Sequence, residues 1–177
     1  MGEIFEKVNE QINPQNETGK TVYVGLENIE SNSGNLVGEV NAEMKSIKST
    51  KTVFKKGDIL YGKLRPNLNK VWFSDREGIC STDILVLRSK TENINPELYS
   101  LILRNDEFNT EVLKGLKGSQ LPRIGFDYFA SLEIPFLSSK IQEKLLGEMK
   151  KEQEIINANK QLIEIYEQKI SDVLSEI

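Results

Sequence analysis

The sequence predicts an α+β protein: a small mixed or antiparallel β-sheet region with short helices, followed by one long C-terminal coiled-coil helix. Three observations carry this. Apolar residues alternate from Ile59 to Leu64 and run unbroken from Ile84 to Leu87, as a half-buried strand and an interior strand require. Asn95-Pro96-Glu97 supplies a capping side chain, a proline at the first helical position and an acid in the first turn, which together start a helix. From Ser139 to Ile177 the sequence holds no proline and no glycine except Gly147, and apolar residues return every seven positions.

Taken in order, the first 50 residues carry two expected strands, Thr21 to Leu26 and Leu36 to Val40, separated by the turn-rich stretch from Glu30 to Asn35. The next strand puts Ile59 and Tyr61 on one face and Leu60, Gly62 and Leu64 on the other. Arg65 precedes Pro66, so it is expected to be extended and to lead out into a loop. Strands over Lys70 to Ser74 and Gly78 to Arg88 follow. Leu98, Leu101 and Ile102 form the apolar face of the helix that Asn95 begins, and Phe108, Val112 and Leu113 continue a second helical pattern that Gly115 and Gly118 interrupt. Lys117 to Ile124 is then a loop, and Leu132 to Phe136, broken by Pro135, is an edge strand.

Ser139 with Gln142 three residues on has the pattern of a capping box, so the last helix is expected to span 139 to 177 and the rest of the fold 1 to 138. The heptad places Met149, Ile156, Ile163, Ile170 and Ile177 at position a, and Leu145, Glu152, Asn159, Tyr166 and Val173 at position d. Its 39 residues make a rod of about 58 Å, longer than a domain of this size can cover. A partner helix is therefore expected, with the stripe Leu145, Met149, Ile156, Asn159, Ile163, Tyr166, Ile170, Val173 and Ile177 as the surface of a homodimer. Asn159 and Glu152 at d cost stability but could fix register. The simpler alternative is a helix folded back on its own sheet.

Composition narrows the function. With 38% hydrophobic and 28% charged residues and no long apolar run, the chain reads as a soluble globular protein. A lone Cys80 and the absence of a secretory signal pattern point to the cytoplasm. There is no histidine, which removes the commonest general base and the nucleophile pairs that depend on it. Phosphate-cradling glycine loops are absent as well. No catalytic group, metal site or cofactor is expected. Asp58 and Asp83 are the carboxylates a small metal-dependent nuclease could use, although strand-end roles are the plainer reading.

Charge is segregated. The chain carries −4 overall, yet the first 44 residues hold two lysines against eight glutamates while Lys45 to Arg76 holds nine cations against Asp58 and Asp75. Lys63, Arg65, Asn67, Asn69 and Lys70 crowd one edge, and a second basic loop holds Lys117, Ser119, Gln120 and Arg123. A polyanion is the matching partner, and a strand edge guarded by lysines against aggregation is the competing explanation.

Four pieces of the sequence, in this order, resemble the specificity subunit of type I restriction-modification systems: Gly57-Asp58-Ile59-Leu60 with Leu64-Arg65-Pro66-Asn67-Leu68 and Lys70; Gly78-Ile79 with Ser81-Thr82-Asp83 and Leu85-Val86-Leu87-Arg88; Gly118-Ser119-Gln120-Leu121-Pro122-Arg123-Ile124; and Ile134-Pro135-Phe136 with Gln142. The long helix follows them, so the resemblance covers the chain from Ile4 to Ile177. Members of that family usually alternate two target recognition domains with two helices, and this chain has one of each, as a half subunit would. The resemblance implies a non-catalytic, sequence-specific DNA-binding protein. Its target recognition domain, 1 to 138, would read one half of an interrupted double-stranded site. Its helix would act as spacer and docking rod for methyltransferase and restriction subunits. The base-reading residues are not implied by the family. Lys63, Arg65, Asn67, Asn69, Lys70, Lys117, Ser119, Gln120 and Arg123 are expected from charge and hydrogen-bonding capacity alone. A small nuclease and a coiled-coil adaptor without DNA binding are the alternatives.

Overall fold

Apolar side chains on both faces of one short strand decide the layering. The computed structural model describes residues 1–116 and 121–175. Its strands in chain order are β1 (Phe5–Lys7), β2 (Gln11–Ile12), β3 (Lys20–Val24), β4 (Asn41–Glu43), β5 (Lys51–Phe54), β6 (Ile59–Gly62), β7 (Val71–Phe73), β8 (Gly78–Cys80) and β9 (Ile84–Ser89). Helices α1 (Pro96–Leu103), α2 (Asp106–Lys114), α3 (Phe126–Ser131) and α4 (Ser139–Ser175) follow. One sheet is antiparallel, in the order β1-β9-β6-β7; the other is mixed, in the order β2-β5-β8-β3-β4, with β3 and β8 parallel.

In register, Leu60 faces Trp72 and Val86, and this face packs with Val24, Phe54 and Cys80 of the mixed sheet. On the other face Tyr61 pairs with Val71 and Leu85, and Ile59 with Leu87. These pack against Tyr99, Leu103, Phe108, Val112 and Phe129 of α1 to α3. Ring contacts join the layers: Tyr61 and Phe129 centroids lie 4.6 Å apart, and Phe54 meets Trp72 edge to face at 5.8 Å. Every residue of β6 is therefore buried, where alternation alone suggested one solvated face. The unbroken run Ile84 to Leu87 is buried throughout, as an interior strand requires.

The turn between β5 and β6 shows why Asp58 stands where it does. Gly57 takes φ +91°, a conformation open to glycine, and the Asp58 carboxylate accepts from the Lys55 N–H at 2.8 Å. The same buried carboxylate accepts from Arg88 Nε at 2.8 Å and Nη2 at 2.6 Å, which binds the start of β6 to the end of β9 and raises the Arg88 pKa. Helix α1 is capped as its sequence predicts, with the Asn95 side chain accepting from the Leu98 N–H, and Asn105 caps α2 by accepting from Glu107.

Several elements differ from the sequence expectation. β1 and β2 are three- and two-residue strands amid Glu, Lys and Asn, too short for alternation to register. The strand expected over Leu36 to Val40 lies at Asn41–Glu43, while Leu36 makes an isolated bridge to Ile29. Leu132 to Phe136 is not a strand. Leu132 and Ile134 do pack inward against the helix-side core, but two of the segment's carbonyls are taken by other groups: Leu132 O by the Met1 ammonium at 2.7 Å and Pro135 O by the Tyr99 hydroxyl at 2.8 Å. Helix α3, just ahead of it, was not expected.

By its contacts the chain divides into two units, Met1–Phe136 and Leu137–Ile177. In the second, the first helical hydrogen bond runs from the Gln142 N–H to the Ser138 carbonyl at 3.0 Å, so Ser138 takes the cap position in place of Ser139. Gln142 Nε2 donates to the Leu137 carbonyl at 2.7 Å. The 37 residues of α4 extend for about 55 Å. Among the described residues, no helix is long and apolar enough to cross a membrane.

Candidate nucleic-acid interface

The chain leaves β6 through a loop closed at both ends. The Gly62 N–H donates to the Lys70 carbonyl at 2.9 Å, so residues 63 to 69 project as one excursion between β6 and β7. A 3-10 turn over Pro66–Leu68 shapes it, with Leu68 N–H donating to Arg65 O and Asn69 N–H to Pro66 O, each at 2.9 Å. Arg65 and Asn69, on either side of that turn, both sit in the left-handed region, at φ 51° and 47°. For Arg65 this overturns the expected extended conformation. Its N–H is held by the Pro122 carbonyl at 2.8 Å while its own carbonyl accepts from Leu68, and these two bonds hold a backbone that ordinarily costs about 1–3 kcal/mol. Asparagine tolerates that region far better, which explains Asn69.

The β6–β7 loop and residues 122 to 124, more than fifty residues apart in sequence, lie side by side. Leu64 and Arg123 form a β-bridge, Ile124 N–H donates to Lys63 O at 3.0 Å, and Lys63 N–H donates to Asp83 O at 2.9 Å. Three segments thus meet at one residue, Lys63: the β6 exit, the turn before β9, and residues 122 to 124. Arg65, Asn67 and Arg123 are exposed there and Lys63 is partly exposed.

Other expected residues are placed differently. Asn69 is 2% exposed, and its Nδ2 donates to the Arg104 carbonyl at 2.6 Å, so it braces the loop from within and does not face outward. Lys70 is half-buried with its ammonium donating to the Leu26 carbonyl at 2.7 Å. Both are committed to the fold, and the unpaired look of their side chains in sequence gave no sign of it. Lys117, Ser119 and Gln120 lie outside the described residues. Of the wider run of positive charge, Lys51 is buried, its ammonium surrounded by the Lys48 and Ser49 carbonyls and the Ser49 hydroxyl, and burial lowers its pKa.

Two features escaped the sequence reading. Leu68 and Leu121 are exposed among these cations at 38% and 47%, where apolar side chains would meet whatever the cations bind. Asp83 accepts from Arg123 Nε at 3.1 Å, so it is paired to this basic edge. A turn motif, Ser81-Thr82-Asp83 before an apolar run, was legible, but its spatial neighbour was not. The geometry also separates Asp83 from Asp58. Register puts Asp58 opposite Arg88 and Asp83 opposite Lys63, at the two ends of the β6/β9 pair, about 16 Å apart at ~3.3 Å per residue. Each carboxylate is already paired to an arginine, and they cannot share a metal ion.

On α4, every residue from Glu154 to Ser175 is exposed. Ile156, Ile163, Tyr166, Ile170 and Val173 expose 48 to 63% of their surface, Asn159 is exposed, and Leu145 and Met149 are partly buried. Ile155, Leu162, Ile165 and Leu174 are also exposed and widen the apolar surface beyond the a and d positions. Ile177 lies outside the described residues.

Comparison with known proteins agrees with this architecture. Residues 1–168 match the family described as the Type I restriction modification DNA specificity domain. The chain is 28% identical over 149 residues to the Type I restriction enzyme HindI specificity subunit of Haemophilus influenzae, covering 77% of this chain and 32% of that protein. Its fold is similar to the crystal structure of the HsdS subunit from Thermoanaerobacter tengcongensis, with a TM-score of 0.77 at 22% identity over 91% of this chain and 43% of that one. A second solved chain, from work on complex assembly and conformational transition of the type I R-M system, gives a TM-score of 0.72 at 24% identity over 89% and 43%. The chain therefore spans about a third of the curated relative and under half of each solved chain. The match over residues 1–168 and the shared mixed α+β fold with its long helix lead to one conclusion: this chain belongs to the type I restriction modification DNA specificity domain family.

Proposed function

We propose that the chain is a non-catalytic DNA reader: its first unit recognises one half of an interrupted double-stranded target, and its long helix pairs with that of a second copy and docks methyltransferase and restriction subunits. The observation that carries the reading half is the meeting of residues 63 to 68 with 121 to 124, which gathers Lys63, Arg65, Asn67 and Arg123 on one edge. That edge suits a duplex. Lysine and arginine meet phosphates, asparagine and arginine can bond base edges, and exposed Leu68 and Leu121 can touch thymine methyls. Lys117, Ser119 and Gln120 belong to the same stretch of sequence and are proposed to extend this surface.

The apolar surface of α4 supports the second half. A helix exposing isoleucine at successive a positions gains by pairing, and a twofold pair would carry two identical readers. The pairing of Asp58 and Asp83 with arginines argues against the nuclease alternative. A reader of this kind works in the cytoplasm, where its DNA target lies. The test is methylome sequencing of cells that carry the chain with a type I methyltransferase subunit. Methylation at a defined interrupted sequence, lost when the chain is removed, is expected; an unchanged methylome would overturn the assignment.

A further inference from the structure

Arg123 is not a free surface cation. Its Nε donates to Asp83 Oδ1 at 3.1 Å, and its two terminal nitrogens carry no protein hydrogen bond among the described residues. About half of its side chain is exposed. The backbones on both sides of this contact are fixed to the same residue: Asp83 O accepts from the Lys63 N–H, and Lys63 O accepts from the N–H of Ile124, next to Arg123. Asp83 is further set by its own turn, where its N–H donates to Ser81 Oγ at 3.2 Å.

The planar guanidinium keeps its two outer N–H groups parallel, and a contact at Nε leaves that end-on pair available while restricting the side chain's rotation. That end-on fork matches the O6 and N7 acceptors of guanine in the major groove, the commonest specific arginine contact. Orientation before binding also reduces the rotamer freedom a long side chain must give up on docking. As a surface ion pair the contact contributes little to stability, so its expected role lies in recognition.

We propose that Asp83 is a positioning residue that presents Arg123 as a fork for one guanine in each half-site. The inference deepens the DNA-reading assignment above and rests on it. Asp83 touches no DNA itself; its carboxylate acts through Arg123, and the turn before β9 thereby becomes part of the specificity surface.

The experiment selects bound sequences from a randomised duplex library with the intact 177-residue chain, then compares affinities on the selected duplex and on copies with each guanine changed to adenine or to 7-deazaguanine, which lacks the N7 acceptor. For the unaltered chain, one guanine is expected to matter by about 5- to 150-fold, the discrimination of one bidentate pair. Asp83→Asn and Arg123→Lys should each lose most of that discrimination. Binding to unrelated duplex should be unchanged or slightly tighter in Asp83→Asn, since an acid is removed, and the melting temperature should hardly move. Adding Asp83→Asn to Arg123→Ala should cause no further loss. Asp83→Asn keeping the guanine preference, or weakening all duplexes alike, would overturn the inference, as would a selected site in which Arg123→Lys changes nothing. Selection of no sequence by the unaltered chain would overturn the DNA-reading assignment itself, and this inference with it.

Discussion

Replacing Ile156, Ile163 and Ile170 together by glutamine tests whether the long helix has a partner. All three lie at the a position and expose 48%, 57% and 60% of their surface. Full burial of an isoleucine side chain contributes about 1.5–3 kcal/mol, so burying the exposed half adds about 0.8–1.5 kcal/mol. Three residues on each of two helices then contribute about 5–9 kcal/mol to the pair. Loss of even the lower figure weakens the dimer by about 4,000-fold, at a factor of ten per 1.4 kcal/mol. Glutamine is a good helix former, so helicity within each chain is retained. Sedimentation velocity across the micromolar range, with circular dichroism as a check on helix content, should show a dimer for the unaltered chain and a monomer for the triple variant. A monomeric unaltered chain, or a triple variant that associates as tightly, would refute the reasoning.

Three further outcomes follow from specific contacts. Asp58→Ala removes three hydrogen bonds and leaves Arg88 unpaired; because Arg88 is about one-third exposed, urea unfolding should show a loss of about 2–4 kcal/mol, below the usual range for a fully buried pair. Lys63→Ala and Arg65→Asn, the latter chosen because asparagine accepts Arg65's left-handed backbone, should each flatten the salt dependence of DNA binding by about one unit. Lys70→Ala should instead lower stability and leave the slope alone, since its ammonium is held by Leu26. Burial pushes the Cys80 thiol up to about 12 from its ordinary 9.0. The unfolded chain ionises first, so stability is retained below pH 9 and falls as pH rises above it; urea midpoints should fall less steeply over that range for Cys80→Ala.

Where sequence and structure agree, the signal was local. The unbroken run Ile84 to Leu87, the Asn95-Pro96 start of α1 and the glycine-poor stretch of α4 each state their structure within a few residues, and each forms as expected. The misses were contacts between distant residues. Asn69 looks like a reader until Arg104, 35 residues on, takes its amide. Arg65 breaks the rule for residues before proline because Pro122 captures its N–H. Asp83 looked like a strand-end acid, and only the fold brings Arg123 to it. Leu132 to Phe136 has the alternation of a strand but, among the described residues, no strand beside it, and alternation alone cannot report the absence of a partner.

The most direct measurement of the whole account is selection of bound duplexes by the intact 177-residue chain from a library randomised in both sequence and gap length. A twofold pair of identical readers requires two identical half-sites in inverted orientation, on one face of the duplex, with centres about one helical turn (~34–36 Å) apart. A chain lengthened by one heptad near Asn159 adds about 10 Å of rod, and should shift the preferred gap by about three base pairs with the half-site sequence unchanged. An interrupted palindrome whose gap follows the helix is the predicted result. No enriched sequence, two unrelated halves bound by a demonstrated homodimer, or a gap that ignores the insertion would contradict it.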